Sequence, residues 1–144
     1  MGFETTGNTD AYYTDEELES KRKYKEDLKR REEETERVTE EIYNKLEGRY
    51  VCPDDESMYV EVYTNESGVR WIDVVLSKEY ETLNAYNTSM AINRASYNEP
   101  DADYSSPYIE ITEITYCENI MVIMYSNDMS TIFFEEDGPI FVKQ

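Results

Sequence analysis

The chain changes character within residues 35–51, which read TERVTEEIYNKLEGRYV. Before Gly48, residues 14–47 are densely charged and contain neither Gly nor Pro, whereas short apolar runs rich in Tyr, Ile, Val and Met follow it. Because Gly is favoured where a helix ends, this change predicts a charged helix over residues 14–48. We expect an antiparallel β domain over residues 49–144 and a flexible tail over residues 1–13.

The predicted helix has a clear start and an uneven apolar surface. Thr14 and Glu17, three residues apart, form a capping box, which satisfies free backbone N–H groups at a helix N-terminus. Near the other end, Val38, Ile42 and Leu46 recur every four residues and form one apolar ridge. Apolar residues are sparse upstream, so we expect only the C-terminal half to dock on the β domain and the first half to project into solvent.

Short apolar runs separated by turn residues predict seven or eight short strands after the helix. Between Met58 and Thr64, apolar residues alternate with polar residues and tyrosines, as in a strand with one buried face. Residues 90–97 predict one weaker strand, and residues 108–116 predict a strand with a bulge near Thr112. The predicted fold class is α+β: one long N-terminal helix followed by an antiparallel β-barrel or sandwich.

The net charge of −19 limits the partners that the protein can bind. Residues 49–144 contain 18 acidic and 5 basic residues, which disfavours direct binding to nucleic acid or to an anionic membrane. It favours a basic protein partner or a small ligand. No run of about 18 apolar residues occurs, so we predict no membrane span.

The sequence lacks the residues on which common catalytic sites depend. It contains no histidine, which removes the usual general base and the commonest zinc ligand. It contains no phosphate-binding loop or dinucleotide-binding glycine motif, and no pair of carboxylates stands out from the acidic background. We therefore predict a non-enzymatic binding protein with no catalytic residue, no metal and no cofactor.

Two kinds of residue are candidates for binding. Strand aromatics could anchor a partner, although they also serve as cross-strand fillers. Two acidic loops offer oxygen ligands of the kind that calcium takes, although neither has EF-hand spacing and a solvated turn explains them as well. The candidates are Asp54, Asp55, Glu56, Tyr59, Tyr63, Trp71, Asp101 and Asp103.

The two cysteines, Cys52 and Cys117, lie in or beside predicted strands. They could form a disulfide or remain two free thiols, and two cysteines do not fix the redox compartment. The first residues show no signal peptide. The sequence therefore fits a cytoplasmic protein if Met1 is native, and an extracytoplasmic one if a leader has been removed.

The strands next to the helix and at the C-terminus resemble a known family. Residues 46–51, LEGRYV, supply a Gly-x-Tyr strand, and residues 131–134 and 141–143 supply short aromatic strands. Over residues 46–144 this pattern is similar to the small calycin-like (lipocalin-like) β-barrel domains of Gram-positive lipoproteins. The resemblance implies an extracytoplasmic β-barrel binding module on the cell surface.

A second resemblance lies in size and composition. Small acidic phage inhibitors, including anti-CRISPR proteins and other DNA mimics, have a similar length and charge. In that class carboxylates replace phosphates at a basic nucleic-acid site. The alternative function implied is a DNA-mimic inhibitor that blocks a basic nucleic-acid-binding protein.

Overall fold

The computed structural model describes residues 13–115 and 117–144. Of the predicted tail, residues 1–12 lie outside the described residues, and so does Tyr116 at the end of one predicted strand. The chain divides into two units, of which the first ends at Glu34 and the second is Thr35–Gln144.

The described residues contain one α-helix, α1 (Asp15–Leu46), which begins in the first unit and ends in the second. The predicted capping box is confirmed: the Glu17 backbone N–H donates to Thr14 Oγ1 at 3.1 Å, and the Thr14 N–H donates to the Glu17 carboxylate at 3.4 Å. Ion pairs between residues three or four apart follow, as between Arg22 and the carboxylates of Glu19 and Glu26. Such pairs stabilise an exposed helix by about 0.2–0.5 kcal/mol each.

Within the second unit, one side of α1 is buried with the strands. Thr39, Ile42, Tyr43 and Leu46 are buried, and the last three belong to the same core cluster as the strand side chains. The Tyr50 hydroxyl, itself buried, donates to the Leu46 carbonyl at 2.8 Å. The end of the helix is therefore fixed to the first strand by a buried hydrogen bond as well as by packing.

Nine strands follow α1 and form one curled antiparallel sheet, a half-barrel. They are β1 (Gly48–Cys52), β2 (Asp55–Thr64), β3 (Arg70–Val75), β4 (Ser89–Ala91), β5 (Arg94–Asn98), β6 (Tyr108–Ile114), β7 (Glu118–Ser126), β8 (Thr131–Phe133) and β9 (Ile140–Lys143). Their order in the sheet is β4-β3-β2-β1-β9-β8-β7-β6-β5. The predicted α+β class is confirmed, with nine strands in place of seven or eight.

The additional strand arises because residues 90–97 do not form one strand. β4 pairs with β3, whereas β5 pairs with β6, and only Ile92 and Asn93 separate them. The Ile92 N–H donates to the Arg70 carbonyl, and the Asn93 N–H donates to the Thr112 carbonyl, on opposite sides. The chain therefore passes from one end of the sheet order to the other at these two residues.

The predicted bulge near Thr112 is wrong. β6 pairs with β7 without a shift from Tyr108 to Ile114, and the register shift in this sheet lies between Val51 and Cys52. Ile111 and Ile114 lie three positions apart, which would require a bulge if both side chains pointed into the core. The Ile114 side chain is exposed, so the strand needs no bulge.

Large apolar side chains on the inner face of the sheet fill the space that it encloses. Burying one Val, Leu or Ile side chain stabilises a fold by about 1.5–3 kcal/mol. Strand side chains with at most 1% of their surface exposed include Tyr50, Val60, Val62, Ile72, Val74, Ile109, Ile111, Ile123, Ile132 and Phe141, and Ile42 and Leu46 of α1 are buried to the same extent.

Side chains cover both edges of the curled sheet. At the β5 edge, the Ala95 N–H donates to Thr39 Oγ1 of α1 at 3.1 Å. At the β4 edge, the Ala91 N–H donates to Glu113 Oε2 of β6 at 2.9 Å, and Asn119 Nδ2 donates to the other oxygen of Glu113. Because exposed edges promote strand addition, these bonds protect the sheet from pairing with another chain.

The connection between α1 and β1 requires glycine. Gly48 has φ +142°, and a Cβ built there would lie 2.8 Å from Cε of Lys143. The Lys143 ammonium donates to the Lys45 carbonyl at 2.9 Å, so it caps the C-terminal end of the helix. A larger residue at position 48 would displace this cap.

Gly48→Ala is expected to lower the free energy of unfolding by about 1–3 kcal/mol, because it combines backbone strain with loss of the Lys143 cap. Urea unfolding measures this cost. In a Lys143→Ala background the cost should be smaller, since only the backbone strain remains. Equal costs in the two backgrounds would exclude a role for Lys143.

Three consecutive residues between β7 and β8 adopt left-handed backbone conformations. Asn127, Asp128 and Met129 have φ values of 51°, 54° and 69°. Each such residue costs about 1–2 kcal/mol when it has a Cβ, although Asn and Asp tolerate the conformation better than most. Met129 is buried, so packing of its side chain offsets part of this strain.

Asp128→Gly is expected to raise the free energy of unfolding by about 0.5–1 kcal/mol, because glycine adopts a positive φ without strain. Thermal unfolding measures the gain. Asp137→Gly is the matched control, since it removes the same charge from an exposed turn residue that lacks a positive φ. An equal gain in both variants would attribute the effect to charge.

Candidate functional site

The outer face of strands β1 to β4 combines aromatic rings with carboxylates. The register places these residues in three rows across the strands, and Met58, Val60 and Val62 between them point into the core. We call this surface the aromatic-acidic face. Its rows are Val51, Tyr59 and Val75; Arg49, Glu61, Asp73 and Ser89; and Tyr63, Trp71 and Ala91.

At the β1 end of the middle row, an arginine of the chain itself occupies the face. Cζ of Arg49 lies 4.1 Å from the centroid of the Tyr59 ring, at cation–π distance. The same guanidinium lies 3.8 Å from the carboxylate of Glu61. One aromatic ring and one carboxylate on adjacent positions of this face therefore hold a guanidinium.

At the other end of the row, neutral donors hold Asp73. Its Oδ2 accepts from the Tyr63 hydroxyl at 2.7 Å, and its Oδ1 accepts from Trp71 Nε1 at 3.2 Å and from Ser89 Oγ at 2.5 Å. The hydrogen bond to Asp73 raises the pKa of Tyr63 to about 12, because ionising the phenol would break it beside a negative charge. The carboxylate is fixed in position while its charge is not paired with a cation among the described residues.

Three of the predicted site residues, Tyr59, Tyr63 and Trp71, are thus brought together, each half-buried on the face. The sequence prediction did not include Glu61 and Asp73 among the site residues. Alternation along β2 already placed Glu61 on the same side as Tyr59, so that signal was available. Asp73 required the pairing of β3 with β2, which the sequence alone does not give.

The acidic residues predicted around position 55 lie elsewhere: Asp54 is in the turn between β1 and β2, and Asp55 and Glu56 are the first residues of β2. Asp55 is used locally, since its Oδ1 accepts from the Ser57 N–H at 3.1 Å and from the Ser57 hydroxyl at 2.5 Å. Asp54 and Glu56 are exposed. This turn is therefore a solvated turn shaped by its own hydrogen bonds.

Asp101 and Asp103 lie in the loop between β5 and β6. The Asp101 carboxylate accepts from the Tyr108 hydroxyl at 2.7 Å and from the N–H groups of Asp103 and Tyr104 at 2.9 and 3.0 Å. These bonds lower the pKa of Asp101, and the bond from Tyr108 has the largest effect. The same bond raises the pKa of Tyr108 to about 12. Asp101 therefore holds the loop together, while Asp103 is exposed.

Across residues 13–115 and 117–144, no group of three or more Cys, Asp or Glu residues is arranged to hold a metal ion. The two cysteines are free thiols, with Cys52 buried and Cys117 exposed.

Three cavities can be described by the residues that line them. One of about 410 Å³ is lined by residues 82–85 and 120–122 with Tyr104 and Phe134, and none of these is a carboxylate. An adjoining cavity of about 250 Å³ contains Glu113, but this carboxylate is already bound by Ala91 and Asn119. A third cavity, of about 390 Å³, is lined by Arg70 together with Glu36 and Glu40 of α1.

The arginines of the β strands are paired with carboxylates of the chain. Arg70 donates to Glu36 and Glu40 of α1 at 2.8 and 2.9 Å, and its Nε donates to the Ile92 carbonyl. Arg94 lies 3.7 Å from Glu118, and Arg49 pairs with Glu61 as described. Each arginine of the β strands thus has a carboxylate partner, and most acidic residues of the β domain have no arginine beside them among the described residues.

No protein-family model matches the chain, and no curated protein or solved structure is significantly similar to it. Among the described residues, no helix is long and apolar enough to cross a membrane. The role of the aromatic-acidic face is therefore inferred from its geometry and charge.

Asp73→Asn is expected to lower the pKa of Tyr63 from about 12 toward the ordinary value of about 10 and to leave Tyr108 unchanged. Asp101→Asn should lower the pKa of Tyr108 and leave the pKa of Tyr63 unchanged, so each variant is the control for the other. Because the folded state raises both pKa values, the stability that these bonds supply is present below pH about 10 and is lost as the pH rises toward 12.

NMR of ¹³Cζ-labelled tyrosine, titrated between pH 8 and 13, resolves the individual phenols. If Asp73→Asn left the pKa of Tyr63 unchanged, the hydrogen bond between Tyr63 and Asp73 would not be the cause of the raised pKa.

Proposed function

We propose that this chain is a non-enzymatic acidic binding protein whose aromatic-acidic face binds a basic protein partner. The observation that carries the proposal is the placement of Tyr59, Tyr63 and Trp71 around two carboxylates, Glu61 and Asp73, on one outward surface. Tyr and Trp are the residues that most often anchor protein interfaces, because they bury large rigid surfaces and still form hydrogen bonds. Carboxylates between them select a positively charged partner.

Packing inside the sheet favours binding on the outside. The inner face is filled by side chains such as Val60, Ile72 and Phe141, whose surfaces are fully buried. Among the described residues, no buried side-chain nitrogen or oxygen lacks a hydrogen-bond partner that a ligand could supply. A binding module of the barrel type would therefore use its outer face in this protein.

The charge of the second unit supports a basic partner. Thr35–Gln144 contains 22 acidic and 7 basic residues. A partner of opposite charge would be attracted before contact, and this attraction weakens as salt screens it over about 8–10 Å. Binding should therefore depend strongly on ionic strength.

The same charge favours a second candidate function, a DNA-mimic inhibitor of a basic nucleic-acid-binding protein. Its carboxylates, left over after the arginines are paired, would occupy positions that phosphates take.

The extracytoplasmic setting stays a prediction, and non-reducing mass spectrometry of Cys52 and Cys117 from the native source tests it.

Glu61→Gln/Asp73→Asn is expected to weaken binding of a fluorescent nonapeptide of alternating Arg and Lys by at least about fivefold, because each lost charge removes about 0.5 kcal/mol or more. Fluorescence anisotropy measures the affinity between 50 and 200 mM salt. The matched control, Glu135→Gln/Asp137→Asn, removes the same charges from the turn between β8 and β9 and should cost less than about twofold.

Equal losses in the two double variants would show that general charge and not this face binds the peptide. Salt-independent binding would contradict an electrostatic interface. For the DNA-mimic function, duplex DNA must compete with the protein for a basic DNA-binding protein, and simultaneous binding of both would exclude it.

A further inference from the structure

The arrangement of Arg49 shows which chemical group the aromatic-acidic face accepts. Its guanidinium lies over the Tyr59 ring at 4.1 Å and beside Glu61 at 3.8 Å, although it remains about half exposed. A guanidinium is planar and weakly hydrated, so it can stack on a ring and approach a carboxylate at the same time. The chain thus contains one occupied example of the contact that a partner could make.

The pairing of strands repeats the elements of this contact one strand further along. Glu61 lies opposite Asp73, and Tyr63 lies opposite Trp71, so a second carboxylate has aromatic rings beside it. In the first contact, the residue on β1 opposite Glu61 is Arg49. In the second, the residue opposite Asp73 is Ser89.

Small residues on β4 leave the second position open. Ser89 lies beside Asp73, and Ala91 lies beside Trp71. Ser89 Oγ accepts from Trp71 Nε1 at 2.8 Å, at the edge of the indole, and neither side chain has a planar group that could stack on the ring. Among the described residues, the side chains that donate to Asp73 are all neutral: Tyr63, Trp71 and Ser89. They hold the carboxylate in place and leave its negative charge to attract a cation.

We propose that the basic partner inserts an arginine side chain at this second position, stacked on Trp71 and paired with Asp73, so that it repeats the contact of Arg49 with Tyr59 and Glu61. The inference rests on the proposed function and specifies the partner's chemistry as an arginine-containing segment. A lysine ammonium supplies the charge but not the planar stacking that a guanidinium makes on an indole ring.

The test compares fluorescent nonapeptides of arginine and of lysine, which carry equal charge, by anisotropy at 100 mM salt. The arginine peptide should bind at least about fivefold more tightly and should change the emission of Trp71, the only tryptophan of the chain. Ser89→Arg places a cation beside Asp73 as Arg49 lies beside Glu61, so it should weaken binding of the arginine peptide by about tenfold.

Two controls separate the position from its charge and its hydroxyl. Ser96→Arg adds the same charge on the exposed part of β5 and should cost less than about threefold. Ser89→Ala removes the hydroxyl that donates to Asp73 without adding a cation, so it should weaken binding less than Ser89→Arg does. Circular dichroism melts show whether each variant is folded, and the peptide comparison on the unmodified protein decides the matter if Ser89→Arg is not.

The outcomes separate the two proposals. If both peptides bind with equal affinity and Glu61→Gln/Asp73→Asn weakens both, the face binds basic partners but the arginine inference is overturned. Equal losses in Ser89→Arg and Ser96→Arg would overturn it as well. If neither peptide responds to the double variant, the proposed function itself falls.

Discussion

Burial of the last three turns of α1 inside the curled sheet is the constraint on which the rest of the structure depends. Ile42 and Leu46 fill the enclosed space from the helix side, and Tyr50 binds the last helical carbonyl from the strand side. Because both faces of a sheet cannot be buried in a single layer of this size, filling the inner face commits the outer face to solvent. Residues that could recognise another molecule must therefore lie on the outside or in the loops.

Tyrosine has a specific role in a chain with 33 acidic and only 14 basic residues. Its hydroxyl is a neutral donor, and it supplies hydrogen bonds to carboxylates in a chain with too few lysines and arginines to pair them all. Tyr43 binds Glu47, Tyr97 binds Glu41, and the pairs of Asp73 and Asp101 were described above. These phenols order the acidic surface without cancelling its charge, which explains why the chain can be rich in tyrosine and strongly negative at once.

The sequence predicted the elements whose signals are local. The start of α1, its apolar ridge and the alternation along β2 depend on neighbouring residues, and so does the α+β class. The division of residues 90–97 into two strands depends on which distant strands β4 and β5 join, and no local pattern records that. The candidate site divides in the same way: the rings were visible as aromatic strand residues, but their alignment with Asp73 and Ser89 exists only after β2, β3 and β4 pair.

The pairing of β1 with β9 also sets an order of events during synthesis. Tyr50 pairs with Lys143, so the strand that completes the hydrogen bonding of β1 is made about ninety residues later. Contacts so distant in the chain make folding slow, because a long loop must close before they form. Until then the side of β1 that pairs with β9 is uncovered, and like charge on the acidic chain opposes association of such intermediates.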